Sequence, residues 1–154
     1  MVPAFTGLGA PYWAADARGS VFGMTRGTNR NHLIRACLES IAYQTADVLK
    51  AMETSLGKPI TCLKVDGGAT ANEIIMQFQS DLLQAEVCRP MISESTALGA
   101  AFLAGLEAGL WQDPEELQNR SPIRNRWQPA VPADEAERLL ARWHVAVEAT
   151  RAFK

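Results

Sequence analysis

The sequence contains no apolar run approaching the roughly 20 residues that a membrane-spanning helix needs. Its first residues lack the basic and apolar regions of a secretion signal. It has no block of like charge, and a net charge of -2 with scattered Lys and Arg leaves no electrostatic footprint for nucleic acid or an anionic surface. Cysteine is scarce: Cys37, Cys62 and Cys88 are odd in number and dispersed, which predicts small buried residues in a reducing compartment rather than disulfides or a metal site. Histidine is scarcer still. His32 and His144 have no partners at metal-ligand spacing, so both are read as structural. No Ser/His/Asp or Cys/His set is present, and no pair of carboxylates is placed for acid–base work. These absences together predict a cytoplasmic globular chain, and 154 residues suffice for one domain with a real core.

What is present is an alternation of strand and helix patterns. Residues 2–30 are rich in Gly, Pro and aromatics, with short strand candidates at 2–5 and 20–24. Leu33, Ile34, Cys37, Leu38, Ile41, Thr45, Val48, Leu49 and Met52 then recur at three-to-four spacing and predict a helix with one broad apolar face. Asn29 or Asn31 can cap its start, and Gly57 follows its end. A β-type run at 60–65 is followed by a helix carrying Ile74, Ile75, Phe78 and Leu82 inward, then a short strand at 86–89 stopped by Pro90. A helix at 95–110, with Ser95 or Thr96 as its cap, presents a surface of small residues that lets neighbouring backbone come close. Four prolines predict a surface excursion at 113–132 with little regular structure, and 133–152 reads as a last amphipathic helix with Leu139, Leu140, Trp143 and Val147 inward. Alternating elements imply an α/β fold with parallel strand pairs. Because the chain opens in a loop-like stretch, the first strands of the domain are expected upstream.

The strongest local feature is the run Val65-Asp66-Gly67-Gly68-Ala69-Thr70-Ala71-Asn72. A buried strand enters two glycines and a helix follows. This is either a tight turn only, or a turn built so that a flat ligand or a phosphate can approach the main chain. In the second case the helix start contributes N–H groups and a positive dipole end, and Asn72 supplies a side-chain amide. It lacks the spacing of a Walker lysine loop or a dinucleotide fingerprint. Tyr12 and Trp13, in a Gly/Pro loop, are expected to pin that loop to the core, with Asp16 and Arg18 available for a surface ion pair. Glu39 borders the apolar helix face and is placed at its rim.

These residues resemble a known family. PAFTGLGAPYW, ARGSVFGMTRGTNRNHLIRACLESIAYQT, VDGGATAN, MQFQSD and TALGAAFLAGL are similar, in that order, to the C-terminal part of the FGGY carbohydrate kinases, the glycerol kinases among them more than the xylulose or gluconate kinases. The resemblance covers about residues 2–111 and continues loosely to the final helix. It implies the C-terminal domain of an actin/hexokinase-like (ribonuclease H-like) ATPase fold, lacking its first strands. The implied layout is a partial nucleotide-binding domain at 1–112, the excursion at 113–132, and a helix of the same domain at 133–154.

By resemblance, the parent activity is transfer of the γ-phosphoryl group of MgATP to glycerol, giving sn-glycerol 3-phosphate. Gly67, Gly68 and Asn72 would then hold ATP or ADP. The catalytic aspartate and the glycerol-binding residues belong to the family's N-terminal domain, so no catalytic residue and no metal ligand is expected here and the isolated chain is expected to be inactive. Asp66 belongs to the motif without being the base. Cys37 and Glu73 depart from the family pattern, and Glu73 places a negative charge beside the nucleotide. Another sugar kinase of the group, or a non-enzymatic remnant acting by interaction, are the alternatives; a homo-oligomer is among the expected partners.

Overall fold

The computed structural model describes residues 1–92 and 94–153. Its first regular element is α1 (Arg30–Leu56), and Asn29 is the residue that starts it. The Asn29 Oδ1 accepts from the amides of Asn31 (2.9 Å) and His32 (3.3 Å), while His32 Nδ1 accepts from the Asn29 amide. This reciprocal arrangement satisfies N–H groups that have no partner inside the helix. Gly57 ends the helix in the left-handed region, at φ +66°. His32 is therefore structural, as expected.

The buried face of α1 overlaps only in part with the one its apolar periodicity predicts: Leu49 is buried and Leu38 packs against the sheet core, as expected, but the rest of the face differs. Ser40, Ala42, Ala46, Asp47 and Leu49 are inside, whereas Ile34, Ile41, Val48 and Met52 are 38–47% exposed. The reason is close packing: small side chains let the next helix approach until Gln79 Nε2 donates to the Ala42 carbonyl at 3.3 Å. The apolar stripe lies beside that seam, and nothing among the described residues covers it.

The strand β1 (Cys62–Lys64), the helix α2 (Glu73–Leu83) and the strand β2 (Glu86–Pro90) form a parallel crossover, with Leu63 paired to Val87. The helix α3 (Ser95–Glu107) follows, and then β3 (Ile123–Trp127), which runs antiparallel to β2 with Val87 opposite Trp127. Leu63, Val65, Val87 and Trp127 meet Ile75 and Met76 of α2 on one face of the sheet. Ile74, expected inward, is 55% exposed; Met76 takes the inner position. The sheet order is β1-β2-β3.

Several other sequence expectations are corrected. The segment 113–132 is not an irregular excursion: it holds a 3-10 segment (Pro114–Arg120) and the whole of β3. Ile123, Asn125 and Trp127 alternate toward one face, but flanking prolines and two arginines disguise the pattern. The candidate strands at 2–5 and 20–24 reduce to isolated bridges, Val2 antiparallel to Ser20 and Phe5 parallel to Gly7. Neither Ser95 nor Thr96 caps α3; its N-cap is Glu94, with no side-chain cap bond. The small residues of α3 are largely exposed, except that Gly105 lies under the Trp111 ring. Cys37 and Cys62 are exposed, and only Cys88 is buried. No helix is long and apolar enough to cross a membrane, among the described residues.

The last helix, α4 (Ala133–Ala152), has the bounds the sequence predicts. Its Trp143 and Val147 close a second core with Val2, Ala4, Leu8 and Ala17 of the opening loop, while Leu139 and Leu140 are half-buried. At its centre is Asp47 of α1, 6% exposed, which no sequence pattern marks. Its Oδ2 accepts from Tyr12 Oη (2.8 Å) and Trp143 Nε1 (2.7 Å), and its Oδ1 lies 2.8 Å from His144 Nε2. One carboxylate thus ties the loop, α1 and α4 together, giving His144 its structural place. Tyr43 stacks on Trp143 at 5.0 Å and meets Phe78 edge-on at 5.4 Å, continuing the link into α2.

Candidate functional site

The strand β1 enters the glycine turn under tight control. The Val65 amide donates to the Cys88 carbonyl at 2.9 Å, fixing the strand's exit against β2. Gly67 then adopts φ +86°, ψ 173°, a conformation open in practice to glycine alone. A single 3-10 turn (Gly68–Ala71) follows, closed by the Thr70 amide and hydroxyl, both donating to the Gly67 carbonyl at 3.1 and 2.7 Å. Thr70 is buried, and its carbonyl accepts from Arg89 Nη1. The same guanidinium donates to Asn125 Oδ1 at 2.8 Å and lies 5.5 Å from the Trp127 ring centre. Arg89 therefore straps the turn to β2 and β3, a role that sequence reasoning missed because Asn125 sits on the unrecognised strand.

Gly68 differs from Gly67 in what requires it. A Cβ added there would meet nothing within 4 Å, and its φ is not in the left-handed region. Neither backbone strain nor packing among the described residues calls for glycine at 68, so the open space over its main chain is free for another group. Asn72 ends the turn and caps α2, its Oδ1 accepting from the amides of Ile74 (3.1 Å) and Ile75 (3.3 Å). Two of the N–H groups that a bare helix start would offer to a ligand are thus already bonded. What remains is the Asn72 side-chain NH₂, the turn backbone and the positive end of the α2 dipole. Glu73, in the first turn of α2, is exposed and places its charge at that end.

The turn brings the exposed Gly67 and Gly68 and the half-buried Asn72 together, with Asp66 exposed beside them. The other residues singled out in the sequence lie elsewhere. Tyr12 does pin its loop, through Asp47, and burial followed by the hydrogen bond to Asp47 holds its phenol well above the usual range. Trp13 does not: it is 79% exposed, at φ +50°. Arg18 turns to the carbonyls of Ala15 (3.0 Å) and Ala17 (2.8 Å) rather than to Asp16. Glu39 pairs with Arg35 one turn away, at the rim of the helix face.

Comparison with known proteins places this geometry in context. Residues 1–108 match the model of the FGGY family of carbohydrate kinases, C-terminal domain. The chain is 56% identical to a glycerol kinase of Paraburkholderia phymatum over 153 residues, which is 99% of this chain and 31% of that protein. It is 53% identical to a glycerol kinase of Bacillus cereus over 154 residues, again 31% of that protein. The chain thus spans about a third of the length of these relatives. Among solved structures, a Plasmodium falciparum glycerol kinase with ADP superposes with a TM-score of 0.88 at 36% identity, covering 97% of this chain and 30% of that one. A gluconate kinase from Lactobacillus acidophilus gives a TM-score of 0.85 at 26% identity, covering 99% of this chain and 31% of that one. The parallel crossover, the glycine turn and the long matched segment share one origin: this chain belongs to the FGGY family of carbohydrate kinases and corresponds to its C-terminal domain.

Proposed function

We propose that these residues form the nucleotide-binding part of a glycerol kinase, in which the γ-phosphoryl group of MgATP passes to glycerol and sn-glycerol 3-phosphate is formed. The observation that carries this reading is Gly68: a glycine that the chain's own conformation and packing do not need, on a rim fixed by Arg89 and Thr70. The glycerol kinase relatives at 53–56% identity support glycerol as the substrate, and the ADP in the related Plasmodium structure agrees with a nucleotide as ligand. The adenosine part of ATP or ADP approaches the Gly67–Gly68 backbone, and the Asn72 amide donates to it.

Such a site contributes positioning. Phosphoryl transfer rests on alignment and charge stabilisation more than on covalent chemistry by the protein, so a rigid nucleotide seat is a substantial part of the catalyst. The magnesium travels with the phosphates as the MgATP complex, and glycerol is met by the family's N-terminal domain.

Isothermal titration of ADP into the folded chain tests the reading. Binding is expected, with Gly68→Val and Asn72→Ala each weakening it about tenfold or more, the loss of one good hydrogen bond or of close approach. A folded chain that gives no binding signal, or one whose affinity is indifferent to Gly68→Val, refutes it.

A further inference from the structure

On the sheet face turned away from α2, two cysteines and a glutamate distant in sequence converge. Cys62 on β1 stands directly across the ladder from Glu86 on β2, and Cys88 follows Glu86 by two residues on the same face. Their ligand atoms all lie within 4.8 Å of one another. The two Sγ atoms are 3.5 Å apart, and Cys88 Sγ is 3.1 Å from Glu86 Oε2. A tetrahedral cation with metal–sulfur bonds of about 2.3 Å and a metal–oxygen bond of about 2.0 Å separates two thiolates by about 3.8 Å and a thiolate from a carboxylate oxygen by about 3.5 Å. These two separations need to open by only a few tenths of an ångström, and Cys62 lies within 4.8 Å of the Glu86 carboxylate. A disulfide needs about 2.05 Å between sulfurs, and residues offset by two along neighbouring strands hold their α-carbons roughly 7–8 Å apart, beyond easy reach of such a bridge.

We propose that Cys62, Glu86 and Cys88 form a site for a thiophilic divalent cation of the zinc class, with the fourth tetrahedral position left to water. Two sulfurs and one carboxylate favour zinc-like ions over magnesium or calcium, which prefer all-oxygen sites. The surroundings fit the proposal. Gln128 Nε2 donates to Glu86 Oε1 at 2.7 Å and orients the carboxylate from the outer shell, leaving Oε2 toward the sulfurs. Arg126 Nη1 is 2.7 Å from Glu86 Oε2 and 3.5 Å from Cys88 Sγ. That side chain is 57% exposed, so it can swing into solvent and give up Glu86 Oε2 when a cation arrives.

Without the cation, the Cys88 thiol donates to Glu86 Oε2. Binding replaces both S–H bonds with metal–sulfur bonds and releases two protons to the buffer. The cation would cross-link β1 to β2 immediately before the glycine turn.

Titration of Co²⁺ into the reduced 154-residue chain, followed by displacement with Zn²⁺, tests the site. The expected result is one ion per chain, a thiolate-to-cobalt charge-transfer band, and two protons released per ion in weak buffer. Cys62→Ser and Cys88→Ser should each weaken binding more than about 100-fold and Glu86→Gln about 10–100-fold, with Cys37→Ser unchanged and Arg126→Gln tighter. Absence of the thiolate band, or equal binding by Cys62→Ser and the parent chain, overturns the proposal. So does a chain that forms a Cys62–Cys88 disulfide in air yet takes up no ion once reduced. Cys62 is exposed, so its serine variant folds even if Cys88→Ser does not, and that variant with Arg126→Gln decides the outcome.

Discussion

Replacing Asp47 with alanine is the most informative perturbation of the fold, because one buried carboxylate serves three elements. The substitution removes the acceptor of Trp143 Nε1, an indole that is only 5% exposed and whose N–H would be left without that bond. A buried donor deprived of its acceptor costs about 1–3 kcal/mol. The Tyr12 hydroxyl is half-buried and loses a bond with a net worth of about 0.5–1.5 kcal/mol. His144 is half-exposed and regains water, so its share is small. Together the loss should be about 2–4 kcal/mol, a large part of the roughly 5–15 kcal/mol that holds a typical domain. At about 2–4 °C per kcal/mol for a chain of this size, Tm should fall by about 5–15 °C in thermal denaturation followed by circular dichroism. Asp47→Asn, which keeps one acceptor oxygen, should lose about half as much. Double-mutant cycles with Tyr12→Phe and Trp143→Phe should give coupling energies of about 0.5–3 kcal/mol. A loss under about 0.5 kcal/mol, or strict additivity in both cycles, would refute the assignment of Asp47 as the joint of the second core.

Alkaline stability follows from the tyrosines. Tyr43 is raised to about 12 by burial and then by the charge of Glu39, and Tyr12 is raised still further by burial and Asp47. The folded state therefore binds these protons more tightly than the unfolded chain. That contribution is complete below about pH 10 and is lost as pH climbs through the folded values, so the urea midpoint should fall from about pH 10 upward. Tyr12→Phe should flatten the fall, and an unchanged profile in that variant counts against the linkage. Gly67→Ala should cost about 1–3 kcal/mol because φ +86° with ψ 173° is strained for any side chain. Gly68→Ala, with open space and no such strain, should change stability by less than about 0.5 kcal/mol in the same melt. Gly105→Ala places a methyl group into the Trp111 ring and should cost about 1–3 kcal/mol, with a shift in tryptophan emission if the ring is displaced. Asn72→Ala removes the α2 cap and should cost about 1 kcal/mol in denaturant titration.

Local chemistry made much of the architecture legible. Asn29 and Gly57 mark the ends of α1 because capping depends on a few adjacent residues, and the pattern at 133–152 carries α4 to its observed bounds. The strand–Gly67–Gly68–helix turn is legible for the same reason, being decided within eight residues, although Asn72 turns out to cap α2 rather than to sit in its first turn. Beyond that range the sequence misleads. Apolar spacing names Ile34, Ile41 and Val48 as the inner face of α1, yet packing selects Ala42, Ala46 and Asp47, because only small side chains allow Gln79 to reach the helix backbone. The prolines around β3 predict irregularity, and only pairing with β2 shows that Ile123, Asn125 and Trp127 form a strand.

The sequence alone determined the order of the main helices and strands, the parallel crossover and the glycine turn, since each is written in neighbouring residues whose conformational limits are intrinsic. Tertiary structure decided everything that depends on residues far apart in the chain. It gave Asp47 its three partners from residues 12, 143 and 144, let Arg89 strap the turn through Thr70 and Asn125, and set Cys62 beside Cys88. Such contacts carry no periodic signal. They arise when the sheet register and helix packing are fixed, and a side chain's role is then set by what those surfaces bring against it.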